Sequence, residues 1–460
     1  MAIASLSRDL LSMQAHAGSG HEENDLFAAQ DQRMQYIDIN MTPLARLERH
    51  SLRSRALLPA NGVVLPPGFE RSPTVAALGS DRPSRVGLLR RGRALALPMP
   101  HHWLASQPLS SRSRRRQASP KAIATELKPQ GTMPQYAHSS VVTHPVQIYP
   151  VQSHHAQIAA CLVEHHWPLE AGPVLGLAFD EPAYGEDGMV WGGEFFRADY
   201  HQVQRLATLK PVPLLGNERA IAEPWRNTYA HLISAFDWDD VNAVYGQLEL
   251  IQFLHAQPRI LLNQLMITGA QAPKTSSVSR WFDAVAAAMG LHREAADYGG
   301  QGGDALEQCI QPADWSLAER SPYPFSVDKM RLRTGQRLPY LDPRSMWHAL
   351  LEDLSQGESI GLMAARFQVG LGHAIADLAM ELAQAQGLTH VALVGSMVHY
   401  PRLTQLITQR LIDSGYPVLA APRRSPDAQV LLGQLAVGAA RTLNVASAET
   451  LIAQEAVICS

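Results

Sequence analysis

HVALVGSMVHYPRLTQLITQRLIDSGYPVLAA, residues 390–421, decides the fold class of this 460-residue chain. Residues 390–394 form an apolar run of strand length that enters a loop at Gly395. Residues 402–413 then place Leu403, Leu406, Ile407 and Leu411 on one helical face, and Ser414-Gly415 stops the helix. Residues 418–421 are a second short strand. Upstream, Ile375, Leu378 and Leu382 repeat at helical spacing across 373–386, with Gly387 as the stop. Downstream, 428–441 predicts a helix of small residues rich in Ala and Leu. A helix–strand–helix–strand–helix order calls for parallel strands joined by right-handed crossovers, so the expected class is α/β.

Working toward the N-terminus, Pro173 to Phe179 (PVLGLAF) is an apolar strand ending at Asp180. A turn over 181–188 and a second strand over 189–197 follow. Asp180 reads in two ways: a carboxylate at the rim of a sheet, where phosphate and metal chemistry is often housed, or an acid that closes a hairpin. Pairing this hairpin-led lobe with the C-terminal lobe predicts a two-lobed body with a cleft between.

Composition sets outer limits. With 46% hydrophobic and 18% charged residues the chain is not a disordered one. Cys161, Cys309 and Cys459 show no CxxC spacing, which argues against a disulfide framework and a structural zinc site. No apolar run approaches the ~18 residues of a membrane span, and the first thirty residues lack a secretory signal pattern. A cytoplasmic protein with no membrane association is expected. Charge is uneven: residues 1–120 hold 16 Arg, no Lys and 9 acids, and the rest is net acidic. The boundary near 120 divides a leader (1–40) and a basic, partly degraded segment (41–119) from a main domain (120–445) and a tail (446–460). The run Arg112, Arg114, Arg115, Arg116 reads as a phosphate-seeking patch or as a solvated linker. No interleaved aromatics and no known motif support nucleic acid as a partner.

Several blocks fall in one order: VQSHHAQIAAC (151–161), DEPAYGEDGMVWGGEF (180–195), EPWRN (223–227), TSSVSRWFD (275–283), 298–307, AARF (364–367) and LGQ (432–434). Together they resemble the C-terminal carbamoyltransferase region of the hydrogenase maturation protein HypF, related to the TsaD-like branch of the actin-like ATPase superfamily. The resemblance implies a two-lobed actin-like ATPase (ASKHA) type fold. It also implies a nucleotide, ATP or carbamoyl-adenylate, in the cleft beside a divalent metal (Fe, Zn or Mg). The implied activity is carbamoyl transfer to the C-terminal cysteine of a HypE-like partner. The family's acylphosphatase-like, zinc-finger and YrdC-like domains should precede this region and are not among these 460 residues, so at most the final transfer is expected. By the same resemblance Arg226 and Arg280 are catalytic. Gly185, Ser276, Ser277, Asp283 and Gly395 contact nucleotide, and Asp180, Asp427, His154 and His155 are the metal-side candidates.

The departures from the family pattern gather at its site. The family's first block reads like VQHHHAHIAAC, and its metal-binding histidines, four apart, are Ser153 and Gln157 here. A hydroxyl and a carboxamide are far weaker ligands than imidazoles. His154 and His155 then face other directions, as packing or surface histidines. Glu181, Pro182 and Ala183 replace a glycine-rich set, Tyr400 stands for an Asn, and Ala428-Gln429 for two glycines. Two readings follow: an impaired carbamoyltransferase with weakened metal binding, or a silent homologue that keeps the fold and at most a partner.

Overall fold

The computed structural model describes residues 58–59, 61–78, 85–98, 120–127, 146–396, 400–420 and 425–458. The leader and the Arg112–Arg116 run lie outside them. Six short strands come first: β1 (Val63–Val64), β2 (Val75–Ala77), β3 (Arg85–Arg90), β4 (Arg93–Pro98), β5 (Ala122–Glu126) and β6 (Gln147–Val151). They form one sheet in the order β1-β4-β3-β2-β5-β6. The boundary placed near residue 120 falls between β4 and β5, which belong to this same sheet. Strands β3 and β4 form a hairpin, with Arg90 paired to Arg93. Arg91 (φ 53°) and Gly92 (φ 70°) both take positive φ, the pair of conformations a tight two-residue hairpin turn needs.

Helix α1 (Ser153–Glu164) leads into β7 (Val174–Tyr184), β8 (Val190–Ala198) and β9 (Val203–Leu209). Next come β10 (Val212–Pro213), α2 (Glu218–Ala222), α3 (Trp225–Ala235), α4 (Trp238–Tyr245), α5 (Glu249–His255) and α6 (Arg259–Thr268). Strand β11 (Lys274–Thr275) precedes α7 (Val278–Ala288), α8 (Gln301–Cys309) and α9 (Pro312–Ala318). The chain closes with β12 (Ser326–Arg331), β13 (Arg337–Asp342), α10 (Arg344–Gln356), α11 (Ile360–Gln386), β14 (Val391–Val394), α12 (Pro401–Asp413), β15 (Val418–Ala420) and α13 (Pro426–Ile458). The second sheet runs β12-β13-β9-β8-β7-β14-β15.

One pattern occurs twice. In the first sheet three antiparallel strands, β4-β3-β2, continue into the parallel pair β5-β6. In the second, antiparallel β9-β8-β7 continue into parallel β14-β15. The parallel strands and crossover helices expected from 390–421 are therefore present, in a two-lobed α/β fold.

Helices α1 and α13 lie between the sheets. They share one core with Val75, Leu89 and Ala124 of the first sheet and with Val174, Ala178, Ala392 and Val394 of the second. The opposite face of β7, carrying Leu175, Leu177 and Phe179, packs with α3, α7 and α11 in a second core. Strand β7 is thus buried on both faces, which is why 173–179 reads as a continuous apolar run rather than an alternating one. Close approach of α1 and α13 needs Gly433, where a Cβ would run into the Ala156 carbonyl oxygen.

Candidate functional site

Strands β7 and β14 are parallel neighbours, with Val394 paired to Ala178. Asp180, still within β7, and Gly395, just past the end of β14, therefore lie on adjacent central strands where β14 ends, a usual place for ligand sites in open α/β sheets. Strand β7 does not stop at Asp180 but continues to Tyr184 through a bulge. Phe179 pairs with Gly193 and Ala183 with Trp191, so three residues of β7 face one of β8. Gly185 closes the hairpin, donating its N–H to the Met189 carbonyl (2.9 Å).

The next strand of the hairpin carries a carboxylate within an otherwise apolar run. Glu194 is fully buried. It accepts from Arg205 Nε (2.5 Å), from the Thr208 hydroxyl (3.1 Å) and from the Ser276 hydroxyl. The Arg205 guanidinium also reaches Asp187 Oδ2 (2.8 Å) and lies 4.3 Å above the Trp191 ring, whose Nε1 donates to Asp187 Oδ1 (3.0 Å). These bonds fix Ser276 against β8, and Gly193 lets the Ser276 carbonyl approach where a side chain would collide. Ser277 follows as the N-cap of α7, accepting from the Arg280 N–H. One turn on, Arg280 Nη2 pairs with Asp283 Oδ2 at 2.9 Å, both nearly buried. Thus Ser276, Ser277, Arg280 and Asp283 are brought together at the start of one helix. Arg280 Nε is buried with no partner among the described residues.

Tyr400, just before α12, stacks on Phe282 with ring centroids 4.4 Å apart and planes 5° from parallel. Its hydroxyl lies against Gly303 of α8, so Tyr400 touches both α7 and α8. Arg226 begins α3, with Nε on Glu223 Oε2 (2.6 Å) and its guanidinium 4.8 Å from the Trp225 ring. The Thr228 hydroxyl donates to the Ala284 carbonyl (2.7 Å), tying α3 to α7.

A second group forms between the sheets. Glu126 ends β5, and its Oε1 accepts from the Ser153 hydroxyl (2.8 Å) at the start of α1. Burial first, and then the charge of Asp427 in the first turn of α13, push its carboxyl above the usual range, against the Ser153 hydrogen bond. Glu126 and Ser153 are therefore direct partners across the β5–α1 junction. One turn along α1, Gln157 is 1% exposed, and neither atom of its amide has a partner among the described residues.

His154 and His155 sit on other faces of α1. His154 Nδ1 accepts from Gln152 Nε2 (2.9 Å), and its ring tilts on Phe196. His155 Nε2 donates to the Asp199 carbonyl (2.7 Å), and burial drives its pKa down to about 4. Both are packed histidines. Among the described residues no group of three or more His, Cys, Asp or Glu side chains is placed to hold a metal ion. Glu126 and Glu194 were not singled out in the sequence. The one available signal was an acid inside or at the end of an apolar strand, ATE and GGEFF.

Residues 176–434 match the family model for the second subdomain of the Kae1-like carbamoyltransferase domain of HypF. Carbamoyltransferase HypF of Rhodobacter capsulatus is 32% identical over 401 residues, covering 85% of this chain and 50% of that protein. A carbamoyltransferase HypF homolog of Cupriavidus necator is 31% identical over 348 residues, covering 74% of this chain and 83% of that one. The chain belongs to the HypF carbamoyltransferase family. It spans about half the length of the Rhodobacter HypF. The fold is also that of full-length HypF in its phosphate- and nucleotide-bound form, with TM-score 0.65 and 22% identity over 82% of this chain and 47% of that one. No helix among the described residues is long and apolar enough to cross a membrane.

Proposed function

We propose that this chain performs the last step of HypF-type chemistry, moving a carbamoyl group from carbamoyl-adenylate to the C-terminal cysteine of a HypE-like partner. The cysteine sulfur attacks the carbamoyl carbon, and a C–S bond forms as the C–O bond to the adenylate phosphate breaks. AMP leaves with the electron pair, and the thiol proton passes to solvent. The observation that carries this reading is the cluster at the start of α7, where Ser276, Ser277, Arg280 and Asp283 are locked together beside strands β7 and β8. Hydroxyls and helix-terminal N–H groups suit a phosphate, and the remaining Arg280 N–H suits charge developing on the leaving AMP. Gly185 and Gly395 flank the same sheet end, and Arg226 is held one helix away.

The residues present do not fit the family's iron or zinc. At the two imidazole positions stand a hydroxyl engaged with Glu126 and a carboxamide, both poor ligands for such ions, and the packed His154 and His155 are turned elsewhere. We therefore derive no step through a metal and expect a slow transferase, since metal polarisation of a carbonyl contributes several kcal/mol of charge stabilisation. The test is intact-mass analysis of a HypE-type partner after incubation with the chain and carbamoyl-adenylate. Gain of one carbamoyl mass on the terminal cysteine, lost with Arg280→Ala, supports the reading. An unmodified partner supports the alternative, a silent homologue, which the missing imidazoles favour.

A further inference from the structure

The face of α1 that carries Ser153 and Gln157 is buried, and its two polar side chains are unequally served. Ser153 is satisfied, because its hydroxyl proton goes to Glu126 Oε1 at 2.8 Å. Gln157, four residues on and hence on the same helix face, is not. Its Oε1 and Nε2 are both buried, and neither has a partner among the described residues. A buried amide left without hydrogen bonds destabilises the folded chain, and native interiors keep few of them. An apolar residue of similar size would remove that cost, so the amide calls for a ligand that completes it.

Three features define that ligand. First, the amide offers one acceptor and one NH₂ donor in a single plane, and the best complement is another planar group with the same pair. Second, the Glu126 carboxyl stands against Ser153 at 2.8 Å on this face, so an anionic head group would meet an acid here and not a cation. Third, a transition metal finds no imidazole or thiolate: Gln157 is neutral, Ser153 already serves Glu126, and His155 is turned to the Asp199 carbonyl. We infer that Ser153, Gln157 and Glu126 form a metal-free hydrogen-bonding site that takes a neutral carbamoyl or primary-amide group directly on the Gln157 carboxamide. The choice of the carbamoyl group rests on the transfer reading above, whereas the absence of a resident metal rests on the donor set alone.

The two parts separate in one set of titrations on the full chain. Carbamoyl-adenylate and AMP are each titrated into the wild type and Gln157→Leu, with and without EDTA. The expected result is EDTA-independent binding of both by the wild type, with Gln157→Leu weakening carbamoyl-adenylate about tenfold and AMP not at all. Loss of carbamoyl-adenylate binding in EDTA, or a Gln157→Leu variant that binds it as before, overturns the inference. Failure of the wild type to bind either nucleotide overturns the transfer reading and the ligand with it. The metal arm is then read by itself: after equilibration with Fe²⁺, Zn²⁺ or Mg²⁺, the wild type should retain less than stoichiometric metal. The double variant Ser153→His/Gln157→His, folded by circular dichroism, should gain zinc. Stoichiometric metal in the wild type that Asp427→Asn removes contradicts the inference whatever the double variant does.

Discussion

The two polar clusters of this molecule are built on opposite rules. Around Glu194 every charge is answered: Arg205 bridges Glu194 and Asp187, two hydroxyls complete Glu194, and Trp191 covers the guanidinium. At Gln157 neither atom of the amide has a partner among the described residues. The first is a frame that sets where Ser276 and α7 begin. The second is open for a ligand, at a cost to the folded state. A buried network that is fully satisfied fixes geometry, whereas a partly satisfied one is destabilising unless something else completes it.

The sharpest way to break this contrast is Glu194→Ala. It leaves Arg205 with Asp187 alone, strips the Thr208 and Ser276 hydroxyls of their shared acceptor in a buried setting, and should cost about 3–5 kcal/mol by denaturant unfolding, with loss of nucleotide binding. A cost below ~1 kcal/mol would mean the network is not a frame. Acid should act next. His155 and His231 have pKa values lowered by burial to about 4 and about 3, below the ordinary 6.5 of an unfolded histidine. Between pH 6.5 and about 4 the unfolded chain binds protons that the folded chain refuses. Stability is therefore complete above pH 6.5 and falls as pH drops, by about 3 kcal/mol at pH 4 from His155 alone. Thermal melts across that range check it, and a flat profile would contradict both burials.

Gly433→Ala sharpens the packing side. The added methyl meets the Ala156 carbonyl, forces α1 and α13 apart, and should lower stability by about 1–3 kcal/mol. Because that contact lies in the helix pair carrying Gln157, it should also weaken carbamoyl-adenylate. Smallest in size but opposite in sign is Gln157→Leu, which removes the orphan amide and should raise stability by about 1 kcal/mol. A destabilised Gln157→Leu would mean the amide is satisfied in the free chain, and the contrast between the clusters would fail.

The C-terminal fold was legible because it is written in local signals. Helix 402–413 emerges as α12 (Pro401–Asp413), and strands 390–394 and 418–421 emerge as β14 and β15 within a residue or so. Helix 373–386 is only the end of α11 (Ile360–Gln386), since its first half is buried on most sides and loses its periodicity. Helix 428–441 extends to Ile458. Strand β7 outran its expected stop at Asp180 because a bulge absorbs the extra residues. Among site residues, Ser276, Ser277, Arg280 and Asp283 were readable as one block and do fold as one. Glu126 and Glu194 were not. Their partners stand 27 and 82 residues away, at Ser153 and Ser276, so only the folded sheets reveal what they hold.

A HypF-type transfer by this chain should proceed without a metal at α1. Its most direct measurement is the rate of cysteine carbamoylation of a HypE-type partner in EDTA, compared with the rate after adding zinc, iron or magnesium. A slow rate, equal in all four conditions, is the expected result. A transfer that vanishes in EDTA and returns with one of the metals would contradict it.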